Sequence, residues 1–590
     1  MVEKTIEIKR GQVLSDILPN KEIPTNTILN KTLTGCGATY GEIVHAKRHS
    51  IIIEPNVPVI LGKKAEHPFL FAVYEGITKE DVKAYLAGEH DGYRKIITTP
   101  EGFDKKVLPA MYETHTPMYD DYFLLLDECE KTIQDVGYRG DIYLPVEDFF
   151  RFKNKAMVSA TPILPSDPRF EEQNFEMVRI APTYDYRRPL TLCVTNNTVR
   201  ILRKLLVRLK DETVCIFINS TDTILGLIQT LKLEGRCKVF CADKSVRKLK
   251  QQNFTDVSDR LSELAGVNFF TSRFYSAVDI KLDYKPHVIV LTDVFHAPYS
   301  MIDPQTEVVQ AIGRFRNGIE QAYHITNTCD RLQSVSRDKL FHNLECQERI
   351  YNRIRELPIE GEIEHQTLTQ ALQGMDYKRF VTRTGNRNWF MWDNAWTDAR
   401  LEALYRSSAT IEEEYKDAPF QLAVHKVDYD LTDEDRLRRT QAQIKGTTEL
   451  WREVVEQIDR IQRQNPDAEQ TFLCEQLGDT FSEIIEAATI LGKERIGQLG
   501  YDRRRIKAAL ENVEENRLMT SEKMQRAVYA KYNTGDLVLC SEILGLYPRG
   551  LDDLQRETGL TPQEVMEICV SLQLKGCIQE RSKNYYVRAK

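Results

Sequence analysis

The sequence predicts an α/β protein in which two consecutive parallel-sheet domains precede an α-helical region and a small C-terminal helix–turn–helix unit. Short apolar runs alternate with amphipathic, helix-capable segments in two successive series, a pattern typical of buried parallel strands joined by crossover helices. The β-signals stop near residue 331, where charge-rich segments of helical period follow, and a further compact segment begins near residue 535. We therefore expect four domains, at 1–183, 184–330, 331–534 and 535–590.

The strands of both sheets are predicted from apolar runs that are too short for helices and are bounded by charged residues or proline. Ligands of open α/β sheets bind beyond the carboxyl ends of the strands, so the polar residues after these runs are the site candidates. The first series lies at 26–30, 50–54, 95–99, 122–126 and 156–159, and the second at 192–195, 214–219, 238–241, 268–271 and 288–292, with helices at 199–210 and 222–233.

Composition restricts the classes of protein to consider. The 590 residues are 42% hydrophobic and 28% charged, as is ordinary for a globular protein. The net charge of −8 gives no global nucleic-acid signature, so such binding needs local basic patches. The twelve cysteines lack zinc-finger spacing and are interpreted as reduced thiols. Because no run approaches the roughly 20 apolar residues of a membrane span and no signal-peptide pattern is present, we expect a cytoplasmic protein without a membrane partner.

The most informative stretch is 32–39, Thr-Leu-Thr-Gly-Cys-Gly-Ala-Thr. It lies between a predicted strand and a helix-capable segment, the setting in which a glycine loop presents backbone N–H groups to phosphates. Ala38 occupies the position where a phosphate loop has its lysine, and Lys31 is expected to project from the strand side. The candidate nucleotide-binding residues of the loop are Thr34, Gly35, Cys36, Gly37, Ala38 and Thr39.

Two acidic residues, Asp127 and Glu128, directly follow the apolar run at 122–126. Carboxylates at the tip of a buried strand can hold Mg²⁺, here through Asp127, and orient a hydrolytic water, here through Glu128. A solvated acidic turn is the alternative interpretation of any single Asp-Glu pair. The glycine–threonine loop upstream favours the functional interpretation.

With these segments in order, the chain resembles the superfamily 2 helicases of the DEAD/DEAH-like group, which have tandem RecA-like domains. The resemblance is strongest at 310–316, because Gln-x-x-Gly-Arg-x-Arg combines several rare requirements. Segments that resemble the family's motifs I, Ia, Ib, II, III, IV, V and VI occur in that order at 32–39, 55–56, 98–101, 127–130, 159–161, 217–220, 271–279 and 310–316.

The resemblance implies that ATP and Mg²⁺ bind between the two RecA-like domains, with nucleic acid on the opposite face. Arginines of the second domain would stabilise charge on the transferring phosphoryl group, and their planar guanidinium groups suit phosphate oxygens. Asp279 would approach the nucleotide ribose or the domain interface. The implied roles are catalysis for Glu128, Gln310, Arg314 and Arg316, metal binding for Thr39 and Asp127, and contact with the nucleic-acid backbone for Asn56, Thr98, Thr99 and Thr271.

Ala38 leaves three functional interpretations open. In the family, the lysine at this position contacts the β- and γ-phosphates. The leading interpretation is a helicase-like, nucleic-acid-dependent NTPase or translocase in which Lys31, or Mg²⁺ with Arg314 and Arg316, substitutes for it. The alternatives are nucleotide binding without turnover and a catalytically impaired scaffold that binds nucleic acid or protein. By resemblance, the expected partner is DNA, single-stranded first and with RNA as the alternative, in replication, repair, phage or mobile-element biology.

Segment 377–396 interleaves basic residues with aromatic ones, among them three tryptophans. Such a segment suits single-strand binding, in which rings stack on bases and cations follow phosphates. A small aromatic core with a basic rim is the alternative and is slightly favoured. Arg383 and Arg387 are the candidate nucleic-acid contacts.

The C-terminal segment predicts a winged helix–turn–helix. A short helix at 551–557 and a turn at 558–560 precede a second helix, which Thr561 caps and which runs to about residue 575. Strands follow at 578–580 and 585–588. The segment resembles the winged helix that ends the bacterial DNA-processing protein of natural transformation. Because Glu564 and Glu567 on the second helix oppose phosphate contact, duplex DNA and a protein partner both remain open as ligands.

Overall fold

The computed structural model describes residues 2–276, 278–466 and 468–513, together with 526, 530, 537–539, 578–582 and 585–588. The chain forms two compact units, Met1–Tyr429 and Asp430–Lys590. Among the described residues, no helix combines the length and the apolar character that crossing a bilayer requires.

The first sheet is parallel, as the sequence predicts for its first domain, and has eight strands instead of the five that were predicted. They are β1 (Val2–Ile8), β2 (Thr27–Asn30), β3 (His49–Ile53), β4 (Phe71–Val73), β5 (Lys95–Thr98), β6 (Tyr122–Asp127), β7 (Asn154–Ser159) and β8 (Glu176–Pro182). Their spatial order is β1-β8-β2-β7-β6-β3-β5-β4. The loop after β2 and the end of β6 are therefore separated only by β7.

Both faces of this sheet are buried, because successive side chains of a strand point to opposite faces. Ile51 and Ile53 of β3 belong to one hydrophobic cluster and Ile52 to another, each at most 2% exposed. Burial on both faces explains why the strands appear in the sequence as continuous apolar runs. The helices around them are α1 (Leu14–Ile17), α2 (Ala38–Val44), α3 (Val57–Glu66), α4 (Lys79–Ala87), α5 (Pro100–Gly102), α6 (Leu108–Glu113), α7 (Met118–Asp121), α8 (Lys131–Gln134), α9 (Pro145–Phe149) and α10 (Arg169–Glu172).

The second sheet also has eight parallel strands. They are β9 (Arg188–Thr195), β10 (Val214–Phe217), β11 (Cys237–Phe240), β12 (Val257–Ser258), β13 (Val267–Phe270), β14 (His287–Thr292), β15 (Gln321–Thr326) and β16 (Phe420–Val427), in the order β12-β11-β13-β10-β14-β15-β9-β16. Its helices are α11 (Thr198–Arg208), α12 (Thr221–Leu231), α13 (Asp243–Gln251), α14 (Arg273–Ser276) and α15 (Glu307–Gly313). Tandem RecA-like domains are thereby confirmed as the fold class.

Strand β16 departs from the expectation that β-structure stops near residue 331. It pairs with β9 at the edge of the second sheet, and most of its side chains are exposed. An edge strand has one neighbour and little apolar burial, so its sequence lacks the strong signal of the central strands. The boundaries of the four domains remain a prediction.

The helices between β15 and β16 pack aromatic residues onto the first domain. They are α16 (Arg337–Arg355), α17 (Glu362–Gln373), α18 (Trp389–Leu404) and α19 (Ser408–Lys416). Phe390 and Trp392 are fully buried and share a hydrophobic cluster with Phe149 and Phe170 of the first domain. The aromatic part of segment 377–396 is thus a core, which is the alternative that the sequence slightly favoured.

The second unit contains a helical part with its own core and a small antiparallel sheet. Trp451, Val454, Ile458 and Ile461 recur at helical spacing along one buried face. The predicted strands at 578–580 and 585–588 are confirmed, whereas the predicted helices at 551–557 and 561–575 lie outside the described residues. The elements are α20 (Asp433–Lys445), α21 (Thr447–Gln464), α22 (Gln470–Leu477), α23 (Ser482–Gln498), β17 (Leu537–Leu539), β18 (Ile578–Ser582) and β19 (Tyr585–Arg588), with strand order β17-β19-β18.

The buried aromatic cluster predicts a large loss of stability when Trp392 is truncated. Trp392→Ala should lower the free energy of unfolding by about 3–5 kcal/mol, because it removes a fully buried ring and leaves a cavity. The measurement is the first unfolding transition in urea, followed by circular dichroism. Tyr299, which is 82% exposed, is the control, and Tyr299→Ala should change stability by about 0.5 kcal/mol or less. Equal effects of the two variants would contradict the core assignment.

Candidate nucleotide site

The glycine loop between β2 and α2 has the backbone conformation of a tight cradle. Gly35 and Gly37 have φ angles of +77° and +89°, values that favour glycine because it has no Cβ. A Cβ at Gly35 would lie 2.6 Å from Nη1 of Arg316, so the arginine approaches the loop where a side chain would exclude it. The loop is also fixed from α1, because the Leu14 N–H donates to the Cys36 carbonyl at 3.0 Å.

The remaining predicted loop residues are well ordered around this cradle. Cys36 and Ala38 are buried in a hydrophobic cluster, and burial raises the pKa of the Cys36 thiol to about 11. Cys36 therefore remains a neutral thiol near pH 7. The Thr34 hydroxyl donates to the Gly313 carbonyl of the second domain at 3.4 Å.

The loop and the predicted acidic pair meet at Asp127. The Thr39 hydroxyl donates to one carboxylate oxygen of Asp127, and the backbone N–H of Glu128 donates to the other at 2.9 Å. Glu128 itself has a φ angle of +46°, which is uncommon for a residue with a side chain. The acidic pair is thus a buried constellation and not a solvated turn.

The Lys31 side chain, which the sequence analysis considered as a substitute for the missing lysine, enters the site from the strand side. Its ammonium lies 3.4 Å from Oε1 of Glu128 and 3.6 Å from Oδ1 of Asp127, and the side chain is buried. Lys31 directly follows β2, where its N–H donates to the Ser159 carbonyl of β7 at 2.8 Å. From this position, the long side chain reaches across β7 to the end of β6.

Residues of α15 in the second domain complete the cluster. Nε2 of Gln310 donates to Oε2 of Glu128 at 3.0 Å and to Oε1 of Glu130 at 3.2 Å. The Gln310 side-chain oxygen in turn accepts from Arg314 at 2.9 Å. Arg316 donates to Asp279 at 2.6 Å. Predicted motifs II, V and VI are therefore brought together at one interface within the first unit.

Burial and neighbouring charges shift the pKa values of three glutamates at this interface. Burial would raise the pKa of Glu128, but the Lys31 ammonium and the Arg314 guanidinium outweigh it and lower this pKa to about 2. Burial and the charge of Glu128 raise the pKa of Glu130 to about 8. Burial, followed by Asp127 and Glu128, also raises the pKa of Glu54 well above its usual value. Glu128 is thus held ionised and Glu130 is held protonated at neutral pH.

The donor set fits Mg²⁺ bound together with a nucleotide. No group of three or more His, Cys, Asp or Glu side chains suited to a metal occurs among the described residues. Mg²⁺ in nucleotide sites commonly takes only one or two protein oxygens and completes its shell with phosphates and water. Asp127 and Thr39, which are hydrogen-bonded to each other, are the side chains that would supply those oxygens.

The predicted nucleic-acid contacts follow or end strands of both domains and are largely buried. Asn56 follows β3, and Thr98 and Thr99 end β5 on the neighbouring strand. The Thr99 hydroxyl accepts from the Gly102 N–H at 3.0 Å, and Thr98 is fully buried. Thr271 is buried after β13 of the second domain. Their role as nucleic-acid contacts remains a prediction.

The two candidate arginines of segment 377–396 differ in setting. Arg387 pairs with Glu348 and stacks over Trp389 and Trp392, so it forms part of the aromatic core. Arg383 has a largely exposed side chain and pairs with Asp104 at 3.1 Å. Exposed ion pairs of this kind are weak, which leaves the Arg383 guanidinium available to phosphate.

Several solved structures are similar to part of this chain at low sequence identity. The chain is similar to Saccharomyces cerevisiae Dbp5 bound to RNA and ADP-BeF3 (15% identity over 52% of this chain and 80% of that chain, TM-score 0.34). It is also similar to the Mycobacterium smegmatis helicase Lhr bound to ssDNA and AMP-PNP (13% identity over 64% of this chain and 51% of that chain, TM-score 0.35). A third similar structure is the DEAD-box helicase Mss116 bound to ssRNA and UDP-BeF (12% identity over 71% of this chain and 100% of that chain, TM-score 0.37). No curated protein matches the sequence.

A family model described as the DprA winged helix domain matches residues 539–582. This match confirms the winged helix that the sequence predicts at the C-terminus.

Two acidic residues of the site escaped the sequence analysis. Glu54 follows the Ile-rich β3, and Glu130 lies three positions after Asp127. The available signal was position alone, since both follow the carboxyl ends of central strands. Their burial and raised pKa values depend on the assembled interface.

The raised pKa of Glu130 predicts a pH-dependent stability. Between its usual pKa of 4.5 and about 8, the unfolded chain releases the proton that the folded protein keeps, so stability falls as pH rises through this window. In Mg²⁺-free buffer, the melting temperature should fall between pH 6 and pH 8.5, and Glu130→Gln should reduce that fall. Substitution of the exposed Glu75 by Gln is the control. An identical pH profile of the wild type and Glu130→Gln would contradict the prediction.

Proposed function

We propose that this protein is a nucleic-acid-dependent ATP hydrolase of the helicase type. The observation that carries the proposal is the hydrogen bond from Gln310 of the second domain to Glu128 of the first, beside the Thr39–Asp127 pair. A nucleotide bound there would contact both domains. Hydrolysis would then be coupled to the relative position of the two sheets, as a motor or clamp requires.

Each residue at the interface has a chemical task in phosphoryl transfer. Thr39 and Asp127 are the proposed Mg²⁺ ligands, and the metal would bridge phosphate oxygens and neutralise their charge. Glu128 is ionised at neutral pH and is the proposed group that orients the attacking water. Its low pKa suits orientation better than strong basicity.

The second domain supplies the complementary charge. Arg314 is buried beside Gln310, and Arg316 reaches the glycine loop. Guanidinium groups in a site closed to water stabilise the charge that develops on the transferred phosphoryl group. Asp279 holds Arg316 in place through the ion pair at 2.6 Å. These assignments also weigh against a scaffold without turnover, which would not require the whole set.

The proposed track is nucleic acid bound through its phosphates. Asn56, Thr98, Thr99 and Thr271, which lie at or just after the ends of β3, β5 and β13, are the proposed contacts with the nucleic-acid backbone. We propose single-stranded DNA as the first ligand to test, RNA as the second, and the cytoplasm as the location. The C-terminal winged helix is the proposed site of duplex DNA or of a protein partner.

Removal of the Glu128 charge tests the hydrolase proposal. Glu128→Gln should lower the rate of Mg²⁺-dependent ATP hydrolysis by about 100-fold or more, because general-base and water-orienting groups commonly contribute that much. The rate should be measured with and without single-stranded DNA and RNA, and the wild-type rate should rise with one of them. Glu75→Gln is the matched control and should retain the wild-type rate. A wild-type rate equal to that of Glu128→Gln would refute the proposal.

The two arginines of segment 377–396 allow a test of the nucleic-acid path. Arg383→Ala should reduce the slope of log affinity against log salt by about 1, because one phosphate contact is lost. Arg387→Ala should lower the melting temperature and leave that slope unchanged, since its guanidinium is committed to Glu348 and the tryptophans. If Arg387→Ala reduced the salt slope and Arg383→Ala did not, the phosphate contact would be assigned to Arg387 instead of Arg383.

A further inference from the structure

The position of Lys31 bears on which group replaces the phosphate-loop lysine that is absent at position 38. Its ammonium faces the two carboxylates at the end of β6, 3.4 Å from Glu128 and 3.6 Å from Asp127. The Thr39 hydroxyl reaches the same Asp127 from the other side. The cation, the proposed metal ligand and the proposed water-orienting group therefore meet within one small buried region.

We propose that Lys31, placed seven positions before Ala38 in the chain, supplies the ammonium that binds the terminal phosphates of the nucleotide. This inference rests on the proposed ATP hydrolase function and assigns a residue to it. The ammonium arrives from the end of β2 instead of from the start of α2.

The electrostatic environment keeps this lysine charged. Burial disfavours the ammonium, but Glu128 and Asp127 outweigh burial and raise the Lys31 pKa above its usual value. A buried cation needs an anionic partner. With a nucleotide bound, Asp127 would hold Mg²⁺, and the phosphates would offer the Lys31 ammonium another anionic partner. Four flexible methylene groups allow that exchange without backbone movement.

Position 38 has a different environment. Ala38 is 5% exposed and lies in the hydrophobic cluster that contains Leu14, Leu18 and Ile43. Its methyl group thus contributes to the packing of α2 against the sheet. The usual position of the lysine thus holds an apolar side chain. A different lysine, Lys31 after β2, places its ammonium against the carboxylates of Asp127 and Glu128.

The test compares two buried lysines of the same sheet in the full-length protein. Lys31→Met should lower ATP hydrolysis by about 100-fold or more, because an oriented charge on the reacting phosphoryl group is lost. It should weaken the binding of Mg·ATPγS by about tenfold and that of Mg·ADP less, because the terminal phosphate loses its contact. Lys31→Arg, which keeps the charge, should have an intermediate rate.

Lys155→Met is the matched control. Lys155 is buried near the amino end of β7, whereas the site lies at the carboxyl ends of the strands, and its ammonium donates to the Phe152 carbonyl at 2.8 Å. Its loss should leave hydrolysis and the preference for ATPγS over ADP within about twofold of the wild type, since it lies away from the charges of the site.

The outcomes separate this inference from the hydrolase proposal. Wild-type activity in Lys31→Met, or equal losses of ATPγS and ADP binding, would overturn the role of Lys31 and leave the hydrolase proposal standing. A wild-type protein that binds but does not hydrolyse ATP would refute the hydrolase proposal. The role of Lys31 would then still be tested by whether Lys31→Met loses more affinity for ATPγS than for ADP. A wild-type protein that binds neither nucleotide would overturn both.

Discussion

Two adjacent carboxylates end a buried strand, and the rest of the site is arranged by the need to compensate them. Asp127 and Glu128 lie in a region that excludes most water, where an uncompensated charge is costly. Lys31 approaches from β2, Thr39 from α2, and Gln310 from the second domain. The same contacts that satisfy the carboxylates therefore hold the glycine loop, the acidic turn and the two domains in register.

This arrangement makes the domain interface the natural place for chemistry. Gln310 bridges Glu128 and Glu130, and the environment separates their pKa values, with one near 2 and the other near 8. Separated pKa values in one cluster are a common property of functional sites, although structural ion-pair networks also produce them. Here the ionised member faces Lys31 and the protonated member lies deeper. Phosphates entering beside Lys31 would meet a site whose charges already have fixed positions.

The predicted elements that the structure confirms are those with a strong signal in the local sequence. Central strands such as β3 and β6 are continuous apolar runs because both sheet faces are covered, so they could be recognised directly. β16 was missed because an edge strand with exposed side chains carries no such signal. In segment 377–396, composition only slightly favoured core packing over stacking on bases, and the contact of Trp392 with the first domain decided for the core.

By itself, the sequence determined the order of the motifs, the two α/β domains, the acidic pair after β6 and the absence of lysine at position 38. Those properties depend on residue type and on neighbours close in the chain. Only the tertiary structure decided that Lys31 faces Asp127 and Glu128 and that Gln310 reaches them from another domain. The physical reason is that a side chain's direction, burial and charge partners are set by strands and helices that are distant in sequence and become neighbours when the sheets assemble.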